Sequence, residues 1–272
     1  MPKLSIITVN RNNRNGLQKT IDSVICQTLR DFEWIVIDGG STDGSKELIE
    51  QYADHFAYWV SEPDKGIYNA MNKGIKVAKG EYLQFLNSGD WLYNTNILDK
   101  VPFSQEVDII YGKSLIHDVN GYNFEYGPHH DPFTPLSLVT APISHPSTFT
   151  KKEIFKQIGF FDESYRIAGD LDFFFRAIIL HHATTAFINS TLTHFSGGGI
   201  SMTNPTLAEE EKKTVLIKHM PSGAVNDYLQ YRSLLKSDAQ LKEKKKAIDV
   251  YESLHKKWAT RKLMHLLYRL TK

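Results

Sequence analysis

What this 272-residue chain lacks narrows the reading first. It has one cysteine, Cys26, so no disulfide can form within it, and this usage suits a reducing compartment. Cys26 falls in an apolar helical pattern and is expected to be inert core. The formal net charge is only +1, so no global field points to nucleic acid. No apolar run approaches the roughly 18 residues of a membrane span. Met1-Pro2-Lys3-Leu4 runs straight into a strand pattern with no signal-peptide pattern. These absences predict a cytoplasmic protein. The loop after the first strand, Asn10 to Asn15, holds no GxGxxG, which argues against a dinucleotide-binding dehydrogenase.

What remains is a chain of strand-loop-helix units. Lys3 to Val9 reads as a buried strand. A helix follows, with Asn15 as N-cap and Leu17, Ile21, Val24 and Ile25 on one face. Glu33 to Ile37 is a second strand, with a helix at Lys46 to Ala53 that Asp43 or Ser45 would cap. Tyr58 to Ser61 is a third strand. The next helix carries Ile67, Met71, Ile75 and Ala78 on one face and stops at Gly80. Tyr82 to Leu86 reads as a central strand, with a helix near Asn94 to Lys100. After about residue 112 the parallel order gives way to antiparallel pieces. Val107 to Tyr111 is a strand, and Asn120-Gly121 signals a hairpin.

Candidate site residues cluster where strands end, because ligands in open α/β sheets bind at the carboxyl ends of strands. The stretch Asn87-Ser88-Gly89-Asp90 leaves the central strand as a polar turn. Asp90 there suits a hard cation such as Mg²⁺; a plain turn is the alternative. Asp38 ends the second strand beside Gly39, Gly40 and Gly44, and reads as a nucleotide contact whose glycines admit a ligand. Lys65, in the loop Glu62 to Gly66, is placed to meet phosphate or simply to be solvated. Gly127 to Pro146 holds five prolines and His129, His130 and His145; their spacing fits no metal template, so they read as structural or acceptor-facing.

Asp170 and Asp172 precede an apolar helix, Phe173 to His181. Two residues apart, they point to nearly opposite sides, so only one can face a given site; N-capping is the plain role for Asp170. Gly197-Gly198-Gly199 suggests a mobile lid. From Leu207 the pattern is helical and charged. Residues 244–272 carry nine Lys/Arg against two Asp/Glu, a net of +7, punctuated by Trp258 and leucines. That stretch reads as a basic amphipathic helix for an anionic membrane or a partner, or as a solvated helix on its own domain.

Together these pieces resemble the family 2 glycosyltransferases. The resemblance rests on Ser5 to Val9, Ile35 to Gly44, Glu62-Pro63-Asp64-Lys65-Gly66-Ile67-Tyr68, Gly80 to Asp90, and Ala168-Gly169-Asp170-Leu171-Asp172. It implies the GT-A fold: a Rossmann-like, mostly parallel central sheet with helices on both faces. The domain would span 1–202, split near 112 into nucleotide-sugar and acceptor halves, with 203–272 a helical extension. It implies an inverting, Mg²⁺- or Mn²⁺-dependent enzyme taking a nucleotide-diphosphate sugar, UDP-sugar favoured. The acceptor would be a saccharide or lipid-linked hydroxyl in surface polysaccharide or glycolipid synthesis. By resemblance Thr8, Asn10, Asp38 and Asp64 line the nucleotide pocket, with Gly39 and Lys65 beside them. The Asp-x-Asp metal motif falls on Asn87 to Asp90, where only Asp90 is acidic, so carboxylate ligation is weakened. Asn87 and Ser88 would then face the diphosphate. The acid-base position falls on Asp170, and Gly198, Gly199 and Ser201 match a loop that closes over donor phosphates. Two rivals are a non-catalytic nucleotide-sugar-binding protein and a sugar-phosphate nucleotidyltransferase; the latter needs a glycine-rich basic loop that Asn10 to Asn15 is not.

Overall fold

The computed structural model describes residues 1–118, 121–127 and 133–231, and residues 233, 234, 237, 242 and 245. Its N-terminal half is built from β1 (Leu4–Asn10), α1 (Arg14–Ile25), β2 (Phe32–Asp38), α2 (Ser45–Gln51), β3 (Tyr58–Ser61), α3 (Ile67–Val77) and β4 (Tyr82–Phe85). β1 is buried along its whole length, as a parallel strand covered on both faces must be. Leu4 and Ile6 pack with Leu17, Ile21 and Val24 of α1 and with Trp34 and Val36. Each such side chain contributes about 1.5–3 kcal/mol by leaving water.

Later come β5 (Trp91–Leu92), β6 (Ile109–His117), β7 (Asn123–Tyr126), α4 (Pro135–Thr140), β8 (Thr148–Lys151) and α5 (Lys152–Ile158). α6 (Gly169–Phe174) runs into a π-helical turn, Phe175–Leu180. β9 (Thr185–Ser196), α7 (Ile200–Thr203) and α8 (Pro205–His219) follow. The strands form one sheet in the order β3-β2-β1-β4-β8-β6-β9-β5, with β7 on β6. β4 pairs antiparallel with β8, and β8 antiparallel with β6. β6 and β9 are parallel, and β5 opposes β9. Along that path only β8 and β5 therefore run against the rest. The chain walks outward from β1 through β2 to β3, then returns to β4 on the other side of β1. The carboxyl ends of β1 and β4 thus flank a crevice where strand order reverses.

Several boundaries differ from the sequence expectation. Asn13, not Asn15, caps α1, because its Oδ1 accepts the Gly16 N–H at 3.1 Å. Cys26 is exposed, not core: it is the C-cap residue, one place past the buried face. α2 starts after Gly44, and Asp43 ties two helix starts together by accepting the Ser45 and Arg14 N–H groups. The expected helix near 94–100 is only a 3₁₀ turn, Leu98–Lys100. The helix expected at Phe173 already begins at Gly169. The β6–β7 hairpin forms, with Gly121 at φ +83°; Asn120, His129 and His130 lie outside the described residues.

Two compact units divide the chain, Met1–Val215 and Leu216–Lys272. The basic stretch 244–272 lies outside the described residues except for Lys245. Among the described residues no helix is long and apolar enough to cross a membrane.

Candidate active site

A cleft of about 860 Å³ opens at the carboxyl ends of β1 and β4. Asn10, Asp64 and Lys65 line one side, and Asn87, Ser88 and Asp90 lie along it. Gly198, Gly199 and Ser201 line it too. Nine of the residues expected at a nucleotide-sugar site therefore share one space.

Thr8, Asp38 and Gly39 are not on that lining, and each has a structural reason to be where it is. Thr8 is buried and accepts the Trp34 Nε1–H at 3.0 Å. Gly39 makes room: a Cβ there would stand 2.2 Å from Asp64 Oδ2. Asp38 is fully buried and its carboxylate is saturated. Oδ1 accepts Asn10 Nδ2 at 2.7 Å and Ser41 Oγ at 2.6 Å; Oδ2 accepts the Ser41 N–H at 2.9 Å and Ser61 Oγ at 2.6 Å. Burial pushes its pKa up, but those hydrogen bonds outweigh it and hold Asp38 below the usual value. In the structure this carboxylate fixes Asn10 at the cleft wall. Asp38→Ala is accordingly expected to lower unfolding free energy by at least about 3 kcal/mol, because it strands several buried donors. It should also weaken nucleotide binding. Urea unfolding without nucleotide checks this; an unchanged midpoint would return Asp38 to a simple ligand contact. A group with a lowered folded pKa stabilises above its unfolded value and loses that contribution as pH falls through the folded one, so the gap between wild type and variant should narrow in acid.

The turn after β4 is clamped from α1. Asn13 Nδ2 donates to the Ser88 carbonyl at 2.9 Å, and Thr20 Oγ1 donates to the Asp90 carbonyl at 2.7 Å. Gly89 sits at φ +102°, which a side chain resists. Asp90 is 5% exposed, and its Oδ1 accepts the Ser196 N–H at 3.0 Å. Burial raises its pKa to about 6, against the charge of His145 and the Ser196 bond. Two buried amide oxygens on the cleft wall, Asn10 Oδ1 and Asn87 Oδ1, have no hydrogen-bond partner among the described residues. Buried acceptors without partners are costly, so both are positions for a ligand's donors or a cation.

Asp170 lines a different space, an adjoining cavity of about 420 Å³, and not the cleft. It is not the N-cap, which is Ala168. Its Oδ1 accepts the Leu171 N–H at 2.8 Å and faces Tyr68 Oη at 3.3 Å; its Oδ2 lies 3.4 Å from His145 Nδ1. Asp172 is fully buried and pairs with Arg176 at 2.9 Å, whose guanidinium also holds the Ile158 and Phe160 carbonyls. The opposite pointing of the two aspartates is as expected. The loop leading to Asp170 is held by Glu211, which accepts the N–H groups of Arg166, Ile167 and Ala168.

His145 joins the two spaces and lines both. Its Nε2 meets Asn87 Nδ2 at 3.0 Å, so with that amide donating, the ring proton sits on Nδ1 toward Asp170. Burial pulls its pKa down, but Asp170 and the charge of Asp90 hold it above the ordinary histidine value. It is placed by β8: because that strand runs backward, the residues before it arrive at the same sheet edge as the end of β4. A buried hydroxyl cluster of Ser114, Ser147 and Thr193 then pins the turn His145–Ser147.

A family model described as glycosyl transferase family 2 matches residues 5–175. The chain belongs to glycosyl transferase family 2. Relatives of this family 2 member include an uncharacterised glycosyltransferase of Mycobacterium tuberculosis, 33% identical over 210 residues, covering 73% of this chain and 77% of the relative. A PGL/p-HBAD biosynthesis glycosyltransferase of Mycobacterium bovis is 30% identical over 210 residues, covering 74% and 80%. Solved structures share the GT-A glycosyltransferase fold. Staphylococcus aureus TarS residues 1–349 in complex with UDP-GlcNAc matches with TM-score 0.64 at 19% identity, over 84% of this chain and 70% of that one. Another TarS structure is covered to 42% of its length. A Pyrobaculum calidifontis mannosyltransferase in complex with GDP-Man and Mn²⁺ matches with TM-score 0.55 at 15% identity, over 88% and 80%.

Family 2 chemistry raises the question of a divalent cation. Among the described residues no group of three or more His, Cys, Asp or Glu side chains forms a metal cluster. The oxygen set nonetheless fits a hard cation that keeps water and substrate phosphate as its other ligands. Asp90 is a buried carboxylate whose pKa burial raises to about 6, and Asn87 Oδ1 is an acceptor with no partner among the described residues, three residues earlier.

Proposed function

We propose that the chain transfers a sugar with inversion from a nucleotide-diphosphate sugar, UDP-sugar favoured, to an acceptor hydroxyl in surface polysaccharide or glycolipid synthesis. One observation carries this reading: Asp90 and Asp170 face different cavities that meet at His145. A direct displacement needs a binding carboxylate on the donor side and a proton acceptor on the opposite side.

In the cleft, Asn10 would accept a base N–H through its unpartnered Oδ1, and Lys65 would meet phosphate. Asn87 and Asp90 would hold Mg²⁺ or Mn²⁺, which when bound offsets charge on the departing diphosphate as a Lewis acid. Asp170 takes the acceptor's proton as its oxygen bonds to the anomeric carbon. The bond from that carbon to diphosphate breaks in the same step, and its electron pair leaves with the diphosphate. His145 holds the base and the β4 turn in one geometry, and Gly198 and Gly199, with Ser201 in the first turn of α7, would lie over the phosphates.

The single carboxylate at the metal turn favours a second reading, a protein that binds nucleotide sugars without turning them over. Incubation with a panel of UDP-sugars, Mn²⁺ and mixed glycoside acceptors decides between them. Acceptor-dependent UDP release supports transfer; donor binding without release under every acceptor supports the binding protein.

A further inference from the structure

The cavity that holds Asp170 is walled largely by carbon. Tyr68, Met71, Phe85, Ile143, Phe161 and Phe174 are among its lining residues. Several polar groups on it are engaged elsewhere: Ser144 Oγ meets Ser114 Oγ at 2.7 Å, Thr148 Oγ1 donates to the Ser144 carbonyl at 2.8 Å, and Lys212 pairs with Glu209 at 3.6 Å. At about 420 Å³ the space lies within the range of small-ligand sites. Folded interiors hold few voids larger than a water molecule, and a space with apolar walls is a poor host for water. It is equally poor for a free sugar, each of whose hydroxyls would need a partner on burial.

We propose that the acceptor carries an apolar body, an aryl or alkyl group, attached beside its reactive hydroxyl, and that this body occupies the Asp170 cavity. The inference rests on the glycosyltransferase reading and adds the class of acceptor. The placement supports it. Ile67, His145, Arg166, Phe195, Ile200 and Ser201 line both the cleft and the cavity, so the two spaces meet beside them. A hydroxyl at that junction has Asp170 within the cavity and the donor cleft ahead of it. Whatever carries the hydroxyl must then extend back into the apolar space.

The full chain is titrated by calorimetry with 4-butylphenol and, separately, with a methyl glycoside, both without nucleotide. UDP with Mn²⁺ is titrated in parallel as the donor-side control. Ala208 lines the cavity, not the cleft, so Ala208→Phe and the milder Ala208→Leu fill it without touching the donor side. The expected result is that 4-butylphenol binds at least tenfold more tightly than the methyl glycoside, and that the filled variants lose at least tenfold of that affinity while binding UDP normally. In transfer assays, octyl and phenyl glycosides should outrun methyl glycosides of the same sugars at equal low concentration. Equal affinity for the two probes, or 4-butylphenol binding unmoved by either variant that still melts cooperatively, overturns the proposal. Loss of UDP binding by wild type would instead remove the donor-site reading, since the phenol titration does not depend on it.

Discussion

Asp170→Asn is expected to lower the transfer rate by about 10²–10⁴-fold, the usual contribution of a general base. The variant keeps the shape of the site. Asparagine's Oδ1 can still accept the Leu171 N–H and face Tyr68 Oη, but the amide cannot take a proton. The helix start should survive, because Ala168 is the N-cap and Glu211 holds the preceding loop. Donor affinity should also survive, since Asp170 lines the apolar cavity and not the cleft. The expected pattern is thus a collapse of rate alone, read from turnover, UDP affinity and melting temperature on one preparation. Turnover within a few-fold of wild type would end the catalytic assignment and leave Asp170 as a helix residue.

Asp90→Asn should separate stability from function in the opposite direction. In the fold Asp90 has a pKa of about 6, raised by burial, against an ordinary value of 3.8. A raised acid binds its proton more tightly when folded. Stability is therefore greatest below the unfolded value, falls as pH rises from about 4 to 6, and stays reduced above that. The shift corresponds to about 3 kcal/mol at neutral pH. Asparagine can keep the Ser196 N–H bond without burying a charge. In EDTA at pH 7.5 the variant should melt several degrees above wild type, and that advantage should disappear near pH 4. Manganese should tighten UDP binding by wild type and not by the variant. A variant no more stable than wild type in EDTA would contradict the burial argument; retained manganese enhancement would place the cation elsewhere.

The sheet was legible because its strands are local events. β1, β2 and β3 are short apolar runs bounded by polar turns, and Tyr58 to Ser61 has the boundaries its pattern predicts. The crevice followed, since turns leaving parallel strands share one edge. What stayed hidden depends on strand order and on partners far away in sequence. His145 reaches Asn87 only because β8 is inserted antiparallel between β4 and β6, and a four-residue strand carries no sign of its direction. The nearest signal was a lone histidine before a proline in a loop-rich stretch. Asp38 looked like a ligand contact because it ends a strand beside glycines; that Ser41, Ser61 and Asn10 converge on it is a tertiary fact. Cys26 misled through periodicity, since a helical stripe continues on paper past the residue where the helix stops.

The most direct test of the central claim is the anomeric configuration of the product. With a UDP-sugar that supports turnover, Mn²⁺ and an octyl glycoside acceptor, proton NMR of the new glycosidic linkage gives the anomeric coupling. The proposed roles, Asp90 on the donor side and Asp170 as the acceptor's base in the adjoining cavity, predict a configuration opposite to that of the donor. Retention of the donor configuration would contradict single displacement with Asp170 as base.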